Sequence, residues 1–199
     1  MEFTELTSFQ LDVLREVGNI GTGNAATALS QLLNKKIDMT VPSINIISFD
    51  NIFNKVDGDK VVMGVVVRVL GDTPGNILFI LGKEPAFEII NDLTGSDDDH
   101  LTQMGSSVIA EVGNIIACAF MNAISKLTNL EMIASVPAVT YDMLGAILST
   151  TFIESSQFDD YVLDIETTYL KDAKEIGGHF YYIPKPGSLE KILTALGVI

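Results

Sequence analysis

The sequence predicts an α+β fold with an internal pseudo-two-fold, in which two long helices bearing the same polar motif pack with an antiparallel or mixed sheet. Three observations predict it. The stretch DVLREVGNIGTGNAATALSQLLNKKIDMTVP, beginning at Asp12, aligns without a gap on SVIAEVGNIIACAFMNAISKLTNLEMIASVP, beginning at Ser107, at an offset of 95. Glu16, Val17, Gly18 and Asn19 fall on Glu111, Val112, Gly113 and Asn114, and Pro42 falls on Pro137. A gapless match of that length marks a duplicated unit. Each copy opens with apolar residues at helical spacing, and each is followed by the same order of strand, short helix, hairpin and helix.

The first helix is predicted over residues 9–34. Leu14, Val17, Gly21, Ala25, Ala28 and Leu32 form its apolar stripe, with Ser8 as N-cap, while Asp12, Glu16, Asn19 and Gly23 occupy a different stripe. Gly18, Gly21 and Gly23 each cost on the order of 1 kcal/mol against Ala in a helix, so close approach of another backbone or of a partner is expected there. Residues 36–49 read as a strand, with Pro42 marking an edge position or bulge. A helical turn at 50–56, a valine-rich strand at 60–70, the turn GDTPG, a returning strand at 76–81 and a helix at 84–94 complete the first half. The pattern then restarts: helix 101–127, strand 130–139, helix 142–155 with Asp142 at its cap, a hairpin of 161–170 with 179–183, and a last helix at 188–196. The expected organisation is one domain over 1–199 made of two repeats, about 9–95 and 101–197.

At 199 residues the chain can bury roughly 70% of its unfolded surface without staples. Its single cysteine, Cys118, excludes an internal disulfide and suits a reducing compartment. The N-terminus has no basic and apolar signal pattern, and the longest apolar run, near 61–67, is too short to cross a bilayer. A cytoplasmic protein without membrane insertion is expected. The net charge of −14 argues against nucleic acid as a partner. The acidic clusters at 97–99 and 159–160 read as solvated loop charge.

The duplicated polar residues are Asp12 or Ser107, then Glu16 or Glu111, then Asn19 or Asn114, at i, i+4, i+7, which puts each set on one helix face. A carboxylate there can pair with a partner's lysine or arginine. A carboxamide can accept from a water and donate to a phosphoryl oxygen. A duplicated core would repeat apolar positions but has no reason to repeat an exposed Asn, which lowers helix propensity. Other chemistries are poorly supported. GNIGTG at 18–23 is not a phosphate loop, because it lies within a helix and lacks the lysine. His100 and His179 have no metal-ligand spacing, His179 reading as a hairpin residue, and Cys118 reads as a buried structural thiol.

The pattern [Asp/Ser]-x-x-x-Glu-x-x-Asn, followed by 22 residues and Pro, resembles the signature of the CheC/CheX/FliY family of chemotaxis phosphatases. Asp12, Glu16, Asn19 and Pro42 match it once; Ser107, Glu111, Asn114 and Pro137 match it again. The resemblance covers nearly the whole chain, including VPAVTYDMLGAIL, and is to the two-motif members, with a CheC-like fold. It implies hydrolysis of the aspartyl phosphate of the response regulator CheY. Glu16 and Glu111 would pair with the regulator's lysine, and Asn19 and Asn114 would orient the attacking water. The regulator would bring Mg²⁺, so the resemblance implies no cofactor of the chain's own. It also implies a partner, the receptor deamidase CheD, bound through the short helix expected at 142–155; CheD-binding members carry Asp where this chain has Ser149. The competing class is a binding module like the switch protein FliM, which keeps the fold but lacks the Glu/Asn pairs.

Overall fold

The computed structural model describes residues 6–154, 161–171 and 174–199. Helix α1 (Ser8–Leu33) leads into strand β1 (Ile37–Ser48), helix α2 (Phe49–Lys55), strands β2 (Val61–Gly71) and β3 (Gly75–Gly82) and helix α3 (Lys83–Thr94). The second half runs α4 (Gln103–Thr128), β4 (Met132–Ala134), β5 (Ala138–Met143), α5 (Leu144–Glu154), β6 (Tyr161–Lys171), β7 (Lys174–Pro184) and α6 (Ser188–Ala195).

Among the described residues all strand pairs are antiparallel and form a seven-stranded sheet ordered β1-β6-β7-β3-β2, with β4 and β5 both on the far side of β2. The halves therefore exchange edge strands. β1 from the first half pairs with β6 of the second, and β5 of the second pairs with β2 of the first. Residues along β3 alternate between two cores. Ile77, Phe79 and Leu81 face α1, α3, α4 and α6, whereas Leu78 and Ile80 face α2 and α5. With both faces covered, β3 reads as a continuous apolar run rather than an alternating one.

Four expectations need correction. The cap of α1 is Thr7, not Ser8: its side chain accepts from the Gln10 backbone N–H, and the Gln10 side chain accepts from the Thr7 N–H, a reciprocal capping box that Ser8 is misplaced to make. The buried stripe of α1 continues through Ala25, Ala26, Leu29 and Leu33, leaving Ala28 and Leu32 half-buried. The strand expected over 130–139 is two strands, because Pro137 has no N–H to give the ladder; the Arg68 N–H instead donates to Ser135 Oγ at 2.9 Å, and Val136 is 89% exposed. β1 carries the matching irregularity between Thr40 and Ser43, where Pro42 lies. Helix α5 starts at Leu144, since Asp142 is still paired with Val62 in the sheet. The acidic pair at 159–160 and residue 155, the expected end of that helix, lie outside the described residues.

Candidate functional site

Helices α1 and α4 are both 26 residues long. They start from Thr7 and Thr102, each accepting a backbone N–H, and stop at Asn34 and Asn129, both left-handed, whose N–H groups return to Ser30 and Ser125. Every one of these pairs is 95 residues apart. The helices lie side by side on the sheet, with a close approach at Gly21. A Cβ there would sit 2.9 Å from Phe120 Cδ2 and 3.2 Å from Phe120 Cα. On α4, a Cβ on Gly113 would come within 2.5 Å of Val65 Cγ1, so that helix rides directly on β2. These contacts bury one face of each helix and turn the motif face outward.

On the outward face Asp12, Glu16 and Asn19 are exposed, as are Ser107 and Glu111, while Asn114 is half-buried. Neither Glu16 nor Glu111 has an ion-pair partner among the described residues. Each is a carboxylate open to an external cation. Asp12 pairs with Arg15 at 3.0 Å, an exposed i,i+3 contact worth a few tenths of a kcal/mol. Ser107 Oγ donates to the Gln103 carbonyl at 3.1 Å. The structure brings Glu and Asn together one turn apart on each helix. The motif prolines stand elsewhere, at the irregularities of the edge strands.

The thiol of Cys118 is not a buried bystander. It is half-buried on the motif face of α4, with Sγ 3.5 Å from Asn114 Oδ1. Burial, and secondarily the charge of Glu111, push its pKa up, so the sulfur carries its proton at neutral pH and can donate. Its counterpart on α1 is Gly23, and the Asn19 carboxamide has no partner among the described residues. The i, i+4 spacing of Asn114 and Cys118 was the available signal; reading Cys118 only as part of an apolar helix hid it. His179 lies in β7 at hydrogen-bond distance from Asp164, which holds its pKa above the ordinary value. Among the described residues no group of three or more His, Cys, Asp or Glu side chains is arranged to hold a metal ion. By length and composition α4 could cross a membrane, although it holds no long unbroken apolar run; here Ile109, Val112, Ile116, Phe120 and Ile124 are buried in the protein core.

The profile of the CheC-like family matches residues 9–46 and 104–141, two segments again 95 apart, each running from a motif helix into the edge strand that follows. The CheY-P phosphatase CheC of Bacillus subtilis is 37% identical over 203 aligned residues, 98% of this chain and 97% of that protein. This chain belongs to the CheC-like family. The flagellar motor switch phosphatase FliY of B. subtilis is 28% identical over 142 residues, which span 69% of this chain and 37% of FliY. Among solved structures, FliY of Thermotoga maritima superposes with a TM-score of 0.81 at 21% identity, covering 96% of this chain and 98% of that one. The FliM middle domain from H. pylori superposes with a TM-score of 0.71 at 11% identity, covering 96% and 99%. At such identities these two likenesses carry the fold alone.

Proposed function

We propose that this protein is a phosphatase that hydrolyses the aspartyl phosphate of a CheY-type response regulator at two sites, one on α1 and one on α4. The observation that carries this reading is the pair of exposed glutamates, without an ion-pair partner among the described residues and each one turn from an asparagine, at the same register on two helices. The name of the B. subtilis relative supports the substrate. Glu16 and Glu111 bind by pairing with a lysine of the regulator. Asn19 and Asn114 orient water: the carboxamide oxygen accepts a hydrogen bond from it, and the NH₂ donates to a phosphoryl oxygen. Water attacks phosphorus in line, the bond from phosphorus to the aspartyl oxygen breaks, and inorganic phosphate leaves with the carboxylate restored. Mg²⁺ belongs to the regulator and offsets charge on the phosphoryl oxygens. This chain contributes positioning and electrostatics rather than a nucleophile, and a cytoplasmic location follows from such a substrate. The chain acts as one unit, 1–199, of two repeats.

Phosphate release from phosphorylated regulator, with and without the protein, tests this. The protein should accelerate release. Asn19→Ala with Asn114→Ala should remove the acceleration by about 100-fold or more while the circular dichroism spectrum stays unchanged; a fully active double variant would sink the assignment. We further infer that α5 offers CheD a weakened surface. Ser149 Oγ turns back to donate to the Gly145 carbonyl at 2.7 Å, at the position where the family resemblance implies an Asp in CheD-binding members. Ser149→Asp should tighten CheD binding about tenfold in a titration, and an unchanged affinity would remove α5 from the CheD surface.

A further inference from the structure

Each motif helix presents a large apolar side chain to solvent in its first turn. Phe9 on α1 and Met104 on α4 are both 64% exposed, and they too are 95 residues apart. Neither belongs to either hydrophobic core. Neither serves the cap, which is made by Thr7 with Gln10 in one helix and by Thr102 with the Gly105 N–H in the other. A single exposed hydrophobic residue is ordinary. The same exposure at the same register in both copies, with the residue type changed and the apolar bulk kept, points to a shared use.

The register supplies the use. Phe9, Asp12, Glu16 and Asn19 are spaced 3, 4 and 3, as are Met104, Ser107, Glu111 and Asn114, so each apolar residue heads the stripe that carries the motif. At 1.5 Å per residue, the apolar side chain lies about 10 Å along the helix from the glutamate and about 15 Å from the asparagine. We propose that Phe9 and Met104 are docking anchors for the phosphorylated response regulator, seating on an apolar patch about 10 Å from the lysine that meets the glutamate. This rests on the phosphatase reading above. Interfaces draw most of their affinity from a few such anchors, Phe and Met being among the residue types enriched there, while the surrounding polar contacts fix register. The occupant is the regulator rather than a second copy of this chain, because the anchors continue the line of the two open carboxylates. A second copy, at a net charge of −14, would set acidic face against acidic face. The two anchors also differ in kind: a rigid ring on α1 selects a shaped pocket, and a flexible thioether on α4 tolerates several.

The test uses single-site backgrounds. With Asn114→Ala leaving only the α1 site, Phe9→Ser should raise KM for phosphorylated regulator about tenfold with kcat within twofold, and Phe9→Met should restore most of the loss. With Asn19→Ala leaving only the α4 site, Met104→Ser should do the same. Binding of regulator held active by beryllofluoride should weaken in parallel, and the melting temperature should not move. Leu127→Ser, 44% exposed at the other end of α4, is the control and should change nothing. If the unsubstituted protein accelerates release and both KM values stay put, or the losses fall on kcat, the anchors are refuted and the phosphatase reading survives. If the unsubstituted protein is inert, the phosphatase reading falls first and the anchors with it. Self-association abolished by either substitution would assign the patch to a second copy and overturn the proposal.

Discussion

Helices α1 and α4 are the same device built with different flanks. They share length, caps, buried stripe and motif. They differ where they meet and just beyond the asparagine. α1 supplies Gly21 and Ala25 at the crossing, and α4 supplies Ile116 and Phe120 at the equivalent positions. A pair with bulk on both sides would clash and a pair with glycine on both would leave a void, so the duplicated helices have diverged into a small–large complement. α1 carries Gly21 at the crossing and Gly23 one turn beyond Asn19, where α4 has Ile116 and Cys118, and Asn19 is exposed. α4 has residues of higher helix propensity at these two positions, and Asn114 is half-buried against the Cys118 thiol. On the proposed reading, both helices keep the Glu/Asn pair while packing decides how firmly each asparagine is held.

Copying the α4 residue into α1 attacks the comparison most strongly. Gly21→Ile should destabilise the protein by about 3 kcal/mol in chemical denaturation, because the Cβ alone meets the Phe120 ring and backbone; a loss under about 1 kcal/mol would mean the crossing is not complementary. Gly23→Ala, with nothing within 4 Å of the new Cβ, should instead stabilise by up to about 1 kcal/mol. Next in size, Glu16→Ala and Glu111→Ala should each raise KM at their own site about tenfold with kcat kept, since both carboxylates are equally open and act in binding; a fall in kcat at constant KM would reverse the roles of Glu and Asn. The smallest effect sharpens the comparison furthest. In the Asn19→Ala background, Cys118→Ala should lower kcat about threefold without moving KM, because a thiol hydrogen bond is weak but orients the carboxamide. Cys118→Ser, which keeps a donor, should retain the rate. Equal losses from Ala and Ser would leave the thiol with packing alone.

The motif helix and the strand after it were legible because the offset of 95 ties α1 and β1 to α4 and the β4–β5 segment, and Pro42 marked the irregularity in β1; the matching break at Pro137 was hidden in what reads as one strand. The exchange of edge strands was not legible, since pairing between distant segments leaves no mark on local periodicity. Thr7 escaped notice because Ser8 is an equally good cap by composition, and only the Gln10 side chain chooses between them. The motif residues were legible as a repeated polar stripe on an otherwise apolar pair of helices. What the sequence hid was their support. Cys118 sits among alanines in an apolar stretch, and its side chain's direction toward Asn114 depends on how α4 is rolled against the sheet.

The central claim, that two copies of one site differ in how firmly they hold the asparagine, is tested most directly by kinetics of the two single variants. Asn19→Ala and Asn114→Ala are each mixed with phosphorylated regulator, and the rate of phosphate release is followed at saturation. Asn114→Ala should remove the larger share of kcat, because the site it destroys is the preorganised one. A larger loss from Asn19→Ala would contradict this and would show that the open, glycine-flanked face of α1 matters more to the reaction than the rigidity of α4.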